Sequence, residues 1–195
     1  MALGDSYTIG QNVTEPARYP VQAAAMLTAL AIKVNTPDII ALTGWTTRNL
    51  LNGIAAAKPG TAYDIVSLLI GVNDQYQEHD TTGYREHFTA CLIKAIELAN
   101  GKSNHVFVLS IPDYTVTPFG SASGASLIAK QIDQFNEINK SVTLAYSISY
   151  TDVTTISRTV KDDPEMLSTD GLHPSGKQYK LWAQVLTEAI AKQLK

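Results

Sequence analysis

Asp64-Ile65-Val66-Ser67-Leu68-Leu69-Ile70 runs almost without polar interruption into Gly71-Val72-Asn73-Asp74. A strand with one wet face alternates apolar and polar residues. A continuous apolar run of this length is the pattern of a strand covered on both faces, as in a parallel sheet. The polar exit matters as much as the run, because in open parallel sheets sites form beyond the carboxyl ends of the strands.

The same rhythm spreads outward in both directions. Short β-rich runs at 1–3, 38–42, 105–111 and, more weakly, 147–152 are separated by helical windows at 20–33, 46–57, 82–100, 125–144 and 175–194. Pro20 suits a first helical turn and Gly101 a helix stop. In the last window Leu181, Trp182, Val185, Leu186, Ala189 and Ile190 share one face at helical spacing. Strands alternating with helices predict a parallel sheet with helices on both faces. The length of 195 residues suits one domain over 1–195.

Composition narrows the function. Hydrophobic residues at 45% are enough for a sizeable core, and a net charge of −3 with no basic run argues against a nucleic-acid partner. Cys91, the single cysteine, has no disulfide partner and reads as a buried helical thiol. No apolar stretch reaches the roughly 18 residues of a membrane span, and no signal peptide is visible. Only three residues precede Gly4. The expectation is a soluble protein, either cytoplasmic or exported with its leader removed.

Polar groups collect after the strands. Gly4-Asp5-Ser6 follows the first, Thr43-Gly44-Trp45 the second and Gly71-Val72-Asn73-Asp74 the third; Asp170-Gly171-Leu172-His173-Pro174 precedes the last helix. Taken singly, the first three also fit helix caps and strand-exit turns. The fourth is stronger: in a turn, a carboxylate three residues before an imidazole can receive its ring N–H. A serine hydroxyl attacks a carbonyl poorly without such a base, and the base works best with its tautomer held by a carboxylate. His79, His87 and His105 have no comparable partner, and no metal-ligand spacing is present.

In order and spacing, these blocks resemble those of the GDSL-type (SGNH) esterases and lipases, from residue 4 to 176. The resemblance implies a flavodoxin-like three-layer α/β/α sandwich with a five-stranded parallel sheet. It implies Ser6 as nucleophile, His173 as general base and then acid, and Asp170 as its orienting carboxylate. The oxyanion hole would comprise the Ser6 and Gly44 backbone N–H groups and the Asn73 side chain. No cofactor and no metal are called for. Tyr7 stands where the family's first block usually has leucine.

The implied reaction is serine ester hydrolysis through an acyl-enzyme, on small or medium acyl esters of the lysophospholipase, arylesterase or thioesterase kind. A carbohydrate acetylesterase is the alternative. The loop 112–124, with Tyr114 and Phe119, is the candidate substrate wall. A reading from another class, a non-catalytic flavodoxin-like module holding a phosphate on Ser6 and Thr8, leaves Asp170 and His173 without a role.

Overall fold

The computed structural model describes residues 1–121 and 124–194. Five parallel strands form one sheet: β1 (Ala2–Gly4), β2 (Ile39–Ala41), β3 (Val66–Leu69), β4 (Val106–Leu109) and β5 (Ser149–Thr151), in the order β2-β1-β3-β4-β5. Ala2 sits opposite both Ile39 and Ser67, so β1 is enclosed on either side. The strands are shorter than the runs predicted for them. Ile70 and Ile111 remain buried but lie past the ends of β3 and β4, where the chain turns away to its next element.

Helices cover both faces. The helices are α1 (Ser6–Ile9), α2 (Tyr19–Ala29), α3 (Thr47–Ala57), α4 (Val72–Gln77), α5 (Thr81–Leu98), α6 (Ala125–Ala145), α7 (Thr154–Ser157) and α8 (Gly176–Gln193). On one face α2 packs along α8, and on the other α5 packs between α3 and α6. Each layer has an aromatic centre. Trp182 lies 5.3 Å from Tyr179 and 6.1 Å from Tyr19, while Tyr84 lies 4.5 Å from Phe135 and 5.6 Å from Phe88. Burying one such ring contributes roughly 1.5–3 kcal/mol.

Local chemistry sets the ends of the helices that face the site. Thr46 and Asn49 form a reciprocal capping box at the start of α3, Asp80 caps α5, and Ser175 caps α8. Cys91 is buried in α5 with its Sγ against the carbonyl of Thr47; burial pushes the thiol up. Part of the predicted loop 112–124 is a tight turn at Tyr114–Val116, and its residues 122 and 123 lie outside the described residues. Among the described residues, no helix is long and apolar enough to cross a membrane.

Candidate active site

The site begins where β1 ends. A Cβ on Gly4 would fall 2.1 Å from Thr8 Oγ1 and 2.3 Å from the carbonyl oxygen of Leu69, so glycine alone allows this turn against β3. Asp5 then caps α1, its carboxylate accepting the Tyr7 N–H at 3.0 Å. Ser6 is thereby held in the first turn, with its carbonyl accepting the Gly10 and Gln11 N–H groups at 3.1 and 3.0 Å.

Asp5 is wholly buried, and its second oxygen has no partner among the described residues. Burial pushes its carboxyl up to about 8; the Tyr7 bond opposes this and the nearby Asp74 charge adds to it.

Asp170 and His173 occupy one closed turn. The Ser168 N–H donates to the His173 carbonyl at 2.8 Å, and Gly171 takes a left-handed φ of 68° inside it. Asp170 Oδ1 accepts from Ser168 Oγ at 2.8 Å and from the Leu172 and His173 N–H groups at 3.0 Å each. Its Oδ2 accepts from His173 Nδ1 at 2.6 Å. Burial works to raise the Asp170 carboxyl, but these bonds, His173's first among them, outweigh it and hold the group far below the usual carboxylate range. With Nδ1–H given to Asp170, Nε2 is left as the imidazole's free nitrogen. The His173 ring lies 5.3 Å from that of Tyr7, next to Ser6, although among the described residues Ser6 Oγ makes no hydrogen bond to it.

Gly44 and Asn73 meet on the other side. Gly44 takes a φ of 82° in the loop after β2, a conformation natural to glycine. Three side chains of α4 grip that loop. Asn73 Nδ2 donates to the Trp45 carbonyl at 3.0 Å, and Gln77 Nε2 donates to the Gly44 carbonyl at 3.0 Å. The Asp74 carboxylate accepts the Thr47 N–H at 3.0 Å and its hydroxyl at 2.5 Å. Neither the Ser6 nor the Gly44 backbone N–H meets an acceptor among the described residues. Two free N–H groups and the second hydrogen of an anchored amide can receive a developing oxyanion.

The two predicted wall residues separate in role. Tyr114 is buried, its hydroxyl on Gln75 Oε1 at 2.9 Å, while Phe119 is 52% exposed. A third ring, Tyr76, is 53% exposed and lies 6.1 Å from Tyr114 and 6.2 Å from Phe119. Tyr76 stands one turn beyond Asn73 on α4. The Phe119 N–H donates to the Gly171 carbonyl at 3.4 Å. The aromatic cluster thus spans from the Asn73 helix to the His173 turn.

Sequence reasoning missed Tyr76 and Gln77, and quoted Asp74 only as part of a strand-exit block, without its tie to Thr47. A helix expected over 72–77 would have exposed Tyr76 by its spacing from Asn73; the partners of Asp74 and Gln77 lie elsewhere in the chain and leave no local signal. Among the described residues, no group of three or more His, Cys, Asp or Glu side chains is arranged to hold a metal ion.

A parallel sheet of order 2-1-3-4-5 between two helical layers, with polar groups gathered at its carboxyl edge, defines the flavodoxin-like α/β/α class. The chain belongs to the GDSL-like lipase/acylhydrolase family, whose sequence model matches residues 2–181. It is a carboxylic ester hydrolase. Among solved structures it is similar to a lipolytic protein of the G-D-S-L family from Veillonella parvula (20% identity, TM-score 0.71), over 98% of this chain and 97% of that one. It is similar to the lipase Lip_vut3 from a goat rumen metagenome (23% identity, TM-score 0.74, covering 96% and 95%). A third likeness is to Axe2, an acetylxylan esterase from Geobacillus stearothermophilus (19% identity, TM-score 0.68, covering 97% and 92%). These identities speak to the fold. No curated protein matches the sequence.

Proposed function

We propose that Ser6 is the nucleophile of a two-step acyl transfer. His173 Nε2 takes the Ser6 proton as Oγ attacks the ester carbonyl. The carbonyl oxygen becomes an oxyanion held by the Ser6 and Gly44 N–H groups and by Asn73 Nδ2. Collapse of the tetrahedral intermediate breaks the bond to the alcohol, which leaves with the proton from His173. A water molecule, deprotonated by the same nitrogen, then attacks the acyl carbon; the bond to Ser6 Oγ breaks, Oγ takes the proton back from His173, and the acid is released. Asp170 keeps the ring in the required tautomer throughout.

The observation that carries this reading is the 2.6 Å bond from His173 Nδ1 to Asp170, which commits one nitrogen and frees the other. The Ser6 and Gly44 N–H groups, unpaired among the described residues, support the oxyanion assignment.

The substrate is a small or medium acyl ester whose apolar part lies against Tyr76 and Phe119, with Tyr114 as their backing. A carbohydrate acetylester is the second reading. It is favoured by the half-exposed faces of the two rings, since exposed aromatic faces also suit sugar stacking. Hydrolysis of p-nitrophenyl esters of graded acyl length, run beside Ser6→Ala, tests the proposal. Turnover that disappears in the variant is expected; equal turnover in both would refute the mechanism. Turnover of acetylated sugars with neglect of longer acyl esters would favour the second reading.

A further inference from the structure

Asn12 lies only six residues beyond Ser6, in an exposed turn that neither the motifs nor the proposed chemistry uses. Its backbone is left-handed, with a φ of 62°, two residues after Gly10 at 71°. Asparagine is among the few side-chain-bearing residues that adopt this conformation readily. The turn aims its amide across the site: Asn12 Nδ2 donates to Asp170 Oδ2 at 2.5 Å. That is the same oxygen that accepts from His173 Nδ1. The preceding residue is tied in as well. The Gln11 N–H donates to the Ser6 carbonyl at 3.0 Å, and Gln11 Oε1 accepts the Thr43 hydroxyl at 2.6 Å beside Gly44.

We propose that Asn12 is a positioning residue for the ester hydrolysis, fixing the Asp170 carboxylate, and through it His173, relative to Ser6. The inference rests on the serine mechanism proposed above. Among the described residues, all other bonds to Asp170 come from residues 168–173 of its own turn, so they shape that turn without saying where it stands. The Asn12 bond ties the turn to the nucleophile's segment. A carboxylate oxygen has room for two donors, so Asn12 occupies one position and leaves His173 the other. Without it the turn loses its tie to the nucleophile's segment, and carboxylate and imidazole shift together relative to the Ser6 hydroxyl. Asn12 is not assigned any contact with substrate, so its loss falls on kcat and spares KM.

Asn12→Gly is the cleanest variant, because glycine keeps the left-handed backbone and removes only the amide. It is to be measured on the p-nitrophenyl ester turned over fastest, in the wild-type and Asp170→Asn backgrounds. The expected result is a fall in kcat of about tenfold, the size for one hydrogen bond to a charged group, with KM unchanged. In Asp170→Asn the same substitution should add no further loss, because the residue acts through Asp170. A wild-type kcat for Asn12→Gly would overturn the proposal. So would an equal fold-loss in both backgrounds, which marks a general structural effect. Wild-type kcat for Asp170→Asn itself would instead overturn the mechanism beneath it, and the two failures remain separate.

Discussion

Asn73 donates its side-chain amide to the backbone carbonyl of Trp45 at 3.0 Å, across the gap between the third and second strand exits. In the proposed mechanism this bond would set which end of the amide faces the reaction. A carboxamide has two N–H bonds; one is committed to Trp45, which leaves the other for an oxyanion and turns the amide oxygen aside. The same bond holds the Gly44 loop at a fixed distance from Asn73, so two of the three proposed donors are mutually braced.

Asn73→Ala therefore removes a donor and loosens its neighbour. The expected loss in kcat is roughly 10²–10³-fold with little change in KM. Steady-state kinetics on a p-nitrophenyl ester read it directly, and an undiminished kcat would remove Asn73 from the oxyanion hole.

Asp170→Asn preserves shape but can present an amide N–H to His173 Nδ1. The ring then carries its proton on the nitrogen that should act as base. By comparison with the chymotrypsin-type triad, the drop in kcat should be on the order of 10⁴-fold. Circular dichroism matching the wild type would assign that loss to chemistry rather than unfolding.

Removing the Asp74 carboxylate leaves the Thr47 N–H, in the first turn of α3, without its acceptor. Asp74→Ala should destabilise the protein by about 1–3 kcal/mol, read as a lower urea midpoint. Activity should fall as well, because the Gly44–Thr47 segment loses one of its three ties to α4.

Stability should depend on pH with two opposing signs. Asp5 is raised to about 8 in the folded protein against about 3.9 for a free aspartate. Between those values the folded state keeps a proton the unfolded chain has lost, so stability falls as pH rises through the window. Asp170 is depressed in the folded state. Its contribution is present above the unfolded value and is lost as pH falls through the folded one. Asp5→Asn should flatten the decline between about pH 4 and 8 while leaving the acid loss. Urea midpoints at pH 5 and pH 8.5 check this; an identical decline in the variant would clear Asp5 of responsibility.

Tyr76→Ala and Phe119→Ala should change substrate preference more than chemistry. If the rings carry the apolar part of the ester, kcat/KM for octanoate should fall about tenfold in either variant, within the 1–3 kcal/mol that modest apolar contacts discriminate. Acetate should be nearly untouched. A uniform loss across chain lengths would place the rings in the scaffold.

The third strand and its exit were readable because burial on both faces leaves an unmistakable run at 64–70, and polar residues cannot continue it. The gathering of Ser6, Gly44, Asn73, Asp170 and His173 at one sheet edge was readable for a related reason: each follows a strand or precedes a helix, where chain direction brings it to the common edge; the roles proposed for them came from the family resemblance. Strand ends were less legible, since Ile70 and Ile111 are as apolar as the ladder residues before them. The six-residue helix at Val72–Gln77 has too few turns to show a period, which hid Tyr76. Asn12 was invisible for a stricter reason. Its partner lies 158 residues away, and no local pattern encodes a contact at that separation.

That separation has a consequence for how the enzyme comes to be active. A ribosome delivers the serine early and the histidine turn late, and helix α8, which packs along α2, later still. Until that turn is made, the nascent chain carries the proposed nucleophile without its proposed base, and is expected not to hydrolyse esters while half made. Appearance of ester cleavage during refolding would thus report the meeting of the chain's two ends, since the proposed mechanism needs the Ser6 segment and the His173 turn together.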